Sequence, residues 1–133
     1  MSTTTTVLGV NEVKGPSGPQ GELRVFEVAV QVTGTYLTAT KPSFNILTAL
    51  QAAHFSVTAV SIKSVVVWRD RYDGTNRYTS VNSTIALSGT GNQTVTFEID
   101  DTGTNGSGSH EIADASVVTG VYSFLAIGSI TAE

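Results

Sequence analysis

The segment LRVFEVAVQV, residues 23–32, alternates apolar side chains with others along most of its length. One face of this segment would carry Phe26, Val28, Val30 and Val32, and the opposite face Glu27, Ala29 and Gln31. Neighbouring side chains of an extended chain point to opposite faces, so a period of two predicts a strand that buries one of its faces.

Similar short patterns, separated by turn residues, continue along the 133-residue chain. The further segments that we predict as strands are Thr5–Val13, Tyr36–Thr40, Val57–Trp68, Arg77–Val81, Thr84–Leu87, Thr94–Ile99 and Val117–Ile130. A loop at Gly15–Gly21 and a hairpin turn at Asp73-Gly74 separate some of them. Many short strands with frequent turns predict an all-β fold, an antiparallel β-sandwich of jelly-roll-like form.

One segment has a helical pattern instead. Lys41-Pro42-Ser43 would open a short helix, since proline suits a first helical turn and Ser43 could cap it. The apolar face of this helix would consist of Ile46, Leu47, Leu50 and Ala53. We therefore predict one short amphipathic helix that covers an edge of the sandwich.

Two of the predicted strands are apolar on both faces. Val65 to Trp68 is a continuous apolar run, and Val117–Ile130 carries apolar residues on each side. Such strands are typical of the inside of a sheet or of a covered face. Large exposed apolar patches are uncommon on monomers, so these strands predict either a thick core or an interface with another subunit.

The composition argues against several classes of function. The chain has no Cys, which excludes disulfides and thiolate metal sites. Its net charge of −4 argues against binding nucleic acid through the phosphates. No apolar stretch approaches the roughly 20 residues of a membrane span, and the Thr-rich start lacks the pattern of a secretory signal. We expect neither a nucleic-acid partner nor a membrane partner.

Residues that could perform chemistry are few and scattered. His54 is expected at the end of the helix, and His110 at the end of a polar segment, Asp100 to His110, that we expect to be an exposed loop. No serine stands in a nucleophile-elbow motif. Asp100 and Asp101 are adjacent, so on a strand they would point to opposite faces and would not form a catalytic pair. The sequence predicts no catalytic residue, no metal ligand and no cofactor.

A group of aromatic and basic residues is the best candidate for a recognition surface. Trp68, Tyr72 and Tyr78 are interleaved with Arg69 and Arg71 around the predicted hairpin. Aromatic and arginine side chains commonly anchor protein interfaces, and aromatic platforms also bind sugars. A cross-strand aromatic pair with stacked arginines would give the same pattern without any partner.

Four segments give the chain its general plan: the Thr-rich start, RVFEVAV at residues 24–30, the apolar middle at 57–68 and GVYSFLAIG at 120–128. A small, acidic, cysteine-free β protein with this plan resembles the small structural proteins of tailed bacteriophages, particularly the capsid decoration or cement proteins. The likeness covers most of the chain in outline and includes no diagnostic motif.

The resemblance implies a virion protein, made in the host cytoplasm, that binds the major capsid protein on the outer surface of an assembled capsid, often as a homotrimer. It also implies a β-sandwich domain over residues 8–133 and a flexible arm over residues 1–7. The arm is β-prone and could pair with a strand edge of the shell or of a neighbouring subunit. Its candidate interface residues are Thr3, Thr4, Thr5, Thr6 and Val7.

Other classes stay open. A tail or neck structural protein of a phage would have the same β-rich composition. A carbohydrate-binding or adhesion module would use Trp68, Tyr72 and Tyr78 as a stacking platform. An enzyme is the least favoured class, because it would need the histidines or the aspartates to converge in one cleft.

Overall fold

The computed structural model describes residues 3–14, 23–72, 78–79, 84–101 and 110–132. The strands are β1 (Thr3–Lys14), β2 (Arg24–Thr35), β3 (Ser43–Asn45), β4 (Val57–Tyr72), β5 (Tyr78–Thr79), β6 (Ala86–Ser88), β7 (Thr94–Thr96), β8 (Asp100–Asp101), β9 (His110–Glu111) and β10 (Val117–Ala132). One short helix, α1 (Ile46–Ala52), follows β3. The predicted all-β class is confirmed. The predicted loop at Gly15–Gly21 and the predicted turn at Asp73-Gly74 lie outside the described residues.

The described strands form three antiparallel sheets. The largest has four strands in the order β1-β2-β10-β4, and the others have the orders β3-β7-β6 and β5-β8-β9. The last strand of the chain, β10, therefore lies between β2 and β4. This arrangement of four, three and three strands differs from the double sheet of eight strands that defines a jelly roll.

The core lies between the four-stranded sheet and the β3-β7-β6 sheet. The ring of Phe124, on β10, lies 5.2 Å from that of Phe44 on β3 and 4.8 Å from that of Phe97 just beyond β7. All three residues are buried. Aromatic pairs at these separations gain from ring geometry as well as from burial. The two sheets are thus packed face to face as a sandwich.

Strand β2 follows the predicted alternation. Phe26, Val28, Val30 and Val32 are buried, whereas the residues between them are only partly covered. The strand is three residues longer than predicted at its carboxyl end. Tyr36, which we expected to begin a short edge strand, instead follows β2 as a fully buried side chain in the segment that leads to β3.

The two strands that look apolar on both faces occupy different places. β10 lies inside the four-stranded sheet, as predicted. β4 is an edge strand of that sheet, so the expectation that Val65 to Trp68 is covered on both faces within one copy of the chain is wrong, and its coverage by another subunit stays a prediction. Val65 is buried, Val66 and Val67 are partly exposed, and Trp68 is 49% exposed.

The helix begins three residues later than expected. Ser43 belongs to β3, and the cap is Asn45, whose side-chain oxygen accepts a hydrogen bond of 2.9 Å from the Thr48 amide. Ser43 cannot cap the helix because it pairs with Thr96 of β7. Asparagine is as good a cap as serine, and both lie close to Pro42, so the sequence pattern does not separate them.

Residues 3–7 are not a separate arm in this structure. They form the first part of β1 and pair with β2, from Thr3 opposite Gly34 to Val7 opposite Val30. The far end of β1 is held by a bidentate ion pair in which Arg24 donates two hydrogen bonds of 2.7 Å to Glu12. This pairing lowers the pKa of Glu12. Bidentate guanidinium–carboxylate contacts are among the stronger polar contacts at protein surfaces.

Every irregularity in the four-stranded sheet lies on an edge strand. β2 and β10 pair without a register shift, whereas β1 and β4 each contain β-bulges, in which one strand has an extra residue. The extra residues are Leu8, Val13, Thr58, Lys63 and Trp68. All five are exposed. The bulges therefore accommodate residues that do not enter the core.

We predict that Gly128→Ala destabilises the fold and that Gly9→Ala does not. A Cβ at Gly128 would lie 2.3 Å from the Ser61 carbonyl oxygen, whereas a Cβ at Gly9 would meet nothing within 4 Å. Overpacking should lower the free energy of unfolding of Gly128→Ala by about 1–3 kcal/mol. Gly9→Ala should change it by less than about 1 kcal/mol. Urea unfolding measures both, and equal losses would contradict this account of the β4–β10 contact.

Candidate functional site

The predicted interface residues lie at opposite edges of the four-stranded sheet. Thr3–Val7 belongs to β1, while Trp68, Arg69, Arg71 and Tyr72 belong to the end of β4. The register Thr5, Val32, Gly120, Tyr72 runs across the sheet from one edge to the other. The two groups therefore share one end of the sheet but are separated by β2 and β10. Tyr78 lies in β5 of another sheet, opposite Asp101.

One face of the four-stranded sheet points away from the core, and we call it the outer face. The strand register places on the outer face Thr4, Thr6, Gly9, Asn11, Lys14, Val25, Glu27, Ala29, Gln31, Thr33, Ser64, Val66, Trp68, Arg69, Arg71, Thr119, Val121, Ser123, Leu125 and Ile127. None of the described strands of the other two sheets pairs with the four-stranded sheet. The outer face therefore mixes apolar with polar residues, and Lys14, Arg69 and Arg71 share it with Glu27.

Trp68 projects onto the outer face from a bulge. β10 pairs Phe124 with Val67 and Ser123 with Arg69, so Trp68 is the extra residue. Its indole Nε1 donates a hydrogen bond of 3.1 Å to the carboxylate of Glu27, two strands away. The indole therefore reaches across β10 while about half of its surface stays exposed. Bulges commonly re-aim a side chain in this way.

A row of small residues crosses the outer face beside Trp68. Gly9, Ala29 and Ser123 are directly opposite one another on β1, β2 and β10. They form the floor of a trough of about 200 Å³ that Leu8, Asn11 and Glu27 border. We call this the small-residue trough. Glu27 borders the trough and also accepts the hydrogen bond from Trp68. The indole ring of Trp68 therefore lies next to the small-residue trough.

A second depression runs between edge strand β1 and helix α1, and we call it the β1–α1 groove. Its volume is about 220 Å³, and none of the residues that line it has a polar side chain: Val7, Leu8, Gly9, Val10, Ala49, Ala52 and Ala53. The adjacent edge of β1 has no partner strand among the described residues. An unpaired strand edge beside an apolar groove is the geometry in which proteins add an extended peptide as an extra strand.

A cluster of ionisable groups lies where the β7–β8 link meets β9, and sequence reasoning missed it. The Tyr36 hydroxyl donates a hydrogen bond of 2.6 Å to Glu111, and the Lys41 ammonium lies 3.2 Å from the same carboxylate oxygen. Glu98 and Asp100 lie beside them as a carboxyl pair. The expectation that the segment from Asp100 is exposed is wrong at its first residue, since Asp100 is only 4% exposed.

Burial and mutual proximity change the acidity of this cluster. The hydrogen bond with Asp100, together with burial, raises the pKa of Glu98 to about 7. Burial and the hydrogen bond to Glu111 also raise the pKa of Tyr36. Among the described residues no donor hydrogen-bonds to the buried Oδ1 of Asp100. A proton on Glu98 can be donated to Asp100, so near neutral pH the pair holds a proton that isolated carboxyls would lose.

Among the described residues, the cluster does not have the arrangement of a metal site. Within the described residues, no group of three or more His, Asp and Glu side chains could hold a metal ion. Lys41 occupies the position beside Glu111 where a cation would bind. His54 lies just after α1, is exposed, and adopts φ of 70°. The geometry supports proton binding and local stabilisation by the cluster.

Comparisons with known proteins give no family for this chain. No protein-family model, no curated protein and no solved structure matches it. The described residues also contain no helix with the length and apolarity needed to cross a membrane. The surfaces and the carboxyl cluster must therefore be interpreted from their own geometry.

We predict that the carboxyl cluster makes the protein lose stability as pH rises through 7. Glu98 has a higher pKa when folded than its ordinary value of 4.5. Its contribution is therefore complete below about pH 4.5 and is lost as pH rises through the folded pKa of about 7. Glu98→Gln keeps a neutral donor at every pH, so it should reduce this loss.

Urea unfolding at pH 5.5 and pH 8 measures the effect. Glu98→Gln should be more stable than the wild type at pH 8, by about 1 kcal/mol after allowance for solvent screening. Glu27→Gln, the same substitution outside the cluster, is the matched control. A wild-type dependence on pH that survives in Glu98→Gln would show that other groups cause it.

Proposed function

We propose that this chain is a virion structural protein that binds the outer surface of an assembled capsid and stabilises it as a decoration protein. Its partner would be the major capsid protein, and it would act as a homotrimer on the capsid surface. The observation that carries the proposal is the edge of β1 beside the apolar β1–α1 groove, an edge that pairs with none of the described strands. The resemblance to phage decoration proteins supplies the identity of the partner.

The chemistry of β1 supports strand addition. From Thr3 to Asn11 the strand has no charged residue, although natural proteins commonly place charges or proline on edges to prevent pairing with other chains. The first bulge comes at Leu8, so Thr3–Val7 is the regular part of the edge. An extended segment could pair with Thr3–Val7 and place an apolar side chain in the groove.

The location and chemistry of the described side chains support a binding role in preference to an enzymatic one. Apart from the Arg24–Glu12 ion pair, the described ionisable groups that approach one another closely are Tyr36, Lys41, Glu98, Asp100 and Glu111, and this cluster is partly or fully buried. A decoration protein has to bind the capsid but does not have to catalyse a reaction. Many copies on one shell can combine their weak contacts through multivalency. The same surfaces would serve a tail or neck protein, which would assemble into rings or tubes instead.

We predict that filling the β1–α1 groove abolishes attachment to shells. Ala52 is exposed and lines the groove, so Ala52→Arg places a long charged side chain where the partner's apolar residue would enter. Binding to purified capsid shells that lack the protein should weaken at least about tenfold. Thr48→Arg, one turn earlier on the same helix, is exposed and does not line the groove, so it is the matched control.

Imaging of the shells and a pull-down at several protein concentrations measure this attachment. Regular added density with the wild type and Thr48→Arg, but not with Ala52→Arg, supports the proposal. Absence of binding by the wild type would remove the capsid assignment. Equal binding by all three proteins would mean that another surface contacts the shell.

A carbohydrate-binding module is the second candidate, and the exposed Trp68 beside Glu27 favours it. An aromatic ring with an adjacent carboxylate can stack on a sugar and accept its hydroxyl hydrogen bonds. Trp68 is the single Trp of the chain, so its fluorescence reports directly on this position. Under the decoration proposal, titration with a panel of glycans should leave the emission unchanged. A saturable change that Trp68→Phe abolishes would favour the adhesion function.

A further inference from the structure

The β5-β8-β9 sheet is the smallest of the three, since each of its strands contains two residues. β8 follows directly on Ile99 and β9 leads directly into Ile112, and both isoleucines are buried in the core. The Ile112 amide donates a hydrogen bond of 3.1 Å to the Ile99 carbonyl. Beyond this point β8 and β9 pair over two residues only. So short a ladder has little backbone pairing of its own to keep it closed.

Side chains of the carboxyl cluster connect this ladder to the segment that follows β2. The hydroxyl of Tyr36, a fully buried residue, donates a hydrogen bond of 2.6 Å to Glu111 of β9. The same hydroxyl accepts a hydrogen bond of 3.4 Å from the Ile99 amide, just before β8. The Lys41 ammonium lies 3.2 Å from the Glu111 carboxylate. β9 is therefore held at its side chain, and β8 at the residue that precedes it.

Asp100 of β8 is buried in a way that depends on one proton. The residue is 4% exposed, and its Oδ1 accepts no hydrogen bond from the described residues. A buried charged group without its hydrogen bonds is costly. Glu98 compensates for this while it holds its proton, because it then donates a hydrogen bond to Asp100. Without that proton two carboxylates would face each other, and Asp100 would be more stable in water.

The other charged groups near Glu98 do not replace the lost proton. Among the described side chains, those that act on Glu98 are Asp100, Glu111 and Lys41. Lys41 is the one cation among them, and it already contacts Glu111. The Tyr36 hydroxyl also donates its hydrogen bond to Glu111. The described part of the cluster therefore offers Asp100 no second donor when Glu98 is ionised.

We propose that Glu98 and Asp100 form a proton-controlled latch: when Glu98 loses its proton, Asp100 moves into water and β8 separates from β9, while the sandwich stays folded. Ile99 and Ile112 remain in the core and form the base of the opening. Such opening is local, unlike a loss of overall stability, and it is independent of capsid binding.

The direction of the latch follows from the acidity of Glu98. The hydrogen bond to Asp100 raises the pKa of Glu98 from 4.5 to about 7. The contribution of the proton is therefore complete below about pH 4.5 and is lost as pH rises through about 7. The β8–β9 ladder is closed in acid and opens in alkali.

Amide hydrogen exchange of the isolated protein tests the proposal, measured by mass spectrometry on peptides that span β8 or β9. Exchange rates are divided by the intrinsic rates at each pH. From pH 6 to pH 8.5, protection of these peptides should fall by about fivefold to tenfold, as linkage to one proton requires. Addition of about 1 M urea should leave this protection unchanged, because a local opening exposes little surface. Peptides from the middle of β10 should stay far better protected at both pH values.

Two variants remove the latch in different ways. Glu98→Gln keeps a donor for Asp100 at every pH, and Asp100→Asn removes the buried charge. Each should show the same protection of β8 and β9 at pH 8.5 as at pH 6. Glu27→Gln, the matched control, should lose protection like the wild type. The urea midpoint at pH 6 verifies that each variant is folded.

Three results would overturn the proposal. The first is a wild type whose β8 and β9 peptides are unprotected at pH 6 or equally protected at pH 8.5. The second is a fall in protection that persists in a folded Glu98→Gln or Asp100→Asn variant. The third is a fall that urea increases as it does for β10, since the whole domain would then be unfolding. None of these results depends on binding to shells.

Discussion

Strand β10 holds the molecule together because it is paired on both sides and buried on one face. It pairs with β2 through twelve consecutive residues without a shift, and with β4 along its other edge. On its inner face, Phe124 contacts the aromatic rings that belong to the opposite sheet. Each such buried side chain contributes roughly 1.5–3 kcal/mol. Both layers of the sandwich, and the position of the outer face, therefore depend on this last strand of the chain.

Local sequence patterns predicted the strands but not which strands lie next to each other in a sheet. The period of two in β2, the inner position of β10 and the burial of Val95, Phe97 and Ile99 all follow from side-chain alternation. Alternation does not show which strands pair with each other. It therefore could not predict that β10 lies between β2 and β4. It also failed for Val65 to Trp68, because these residues alternate regularly but the outward ones, Val66 and Trp68, are apolar without being covered by the rest of the chain that the structure describes.

The functional surfaces, like the strands, were predictable from the sequence only in part. The sequence marked Thr3–Val7 and Trp68, and the structure places both at edges of the four-stranded sheet. The small-residue trough needs three strands in register, and no spacing along the chain reveals it. The carboxyl cluster was missed because its members are up to 75 residues apart, as Tyr36 and Glu111 are. The one local signal was a glutamate, Glu98, in the alternating run before Asp100.

The position of the bulges indicates where single residues can be inserted into or deleted from the strands of the sheet. An inserted residue in a regular strand moves every later side chain to the opposite face of the sheet, which would expose the core. The edge strands already accommodate five extra residues, all exposed, whereas β2 and β10 contain none between them. Single-residue insertions and deletions should therefore be tolerated at the two borders of the sheet and rejected in its centre. The binding surfaces could in this way diversify by changes in length while the sandwich keeps its register.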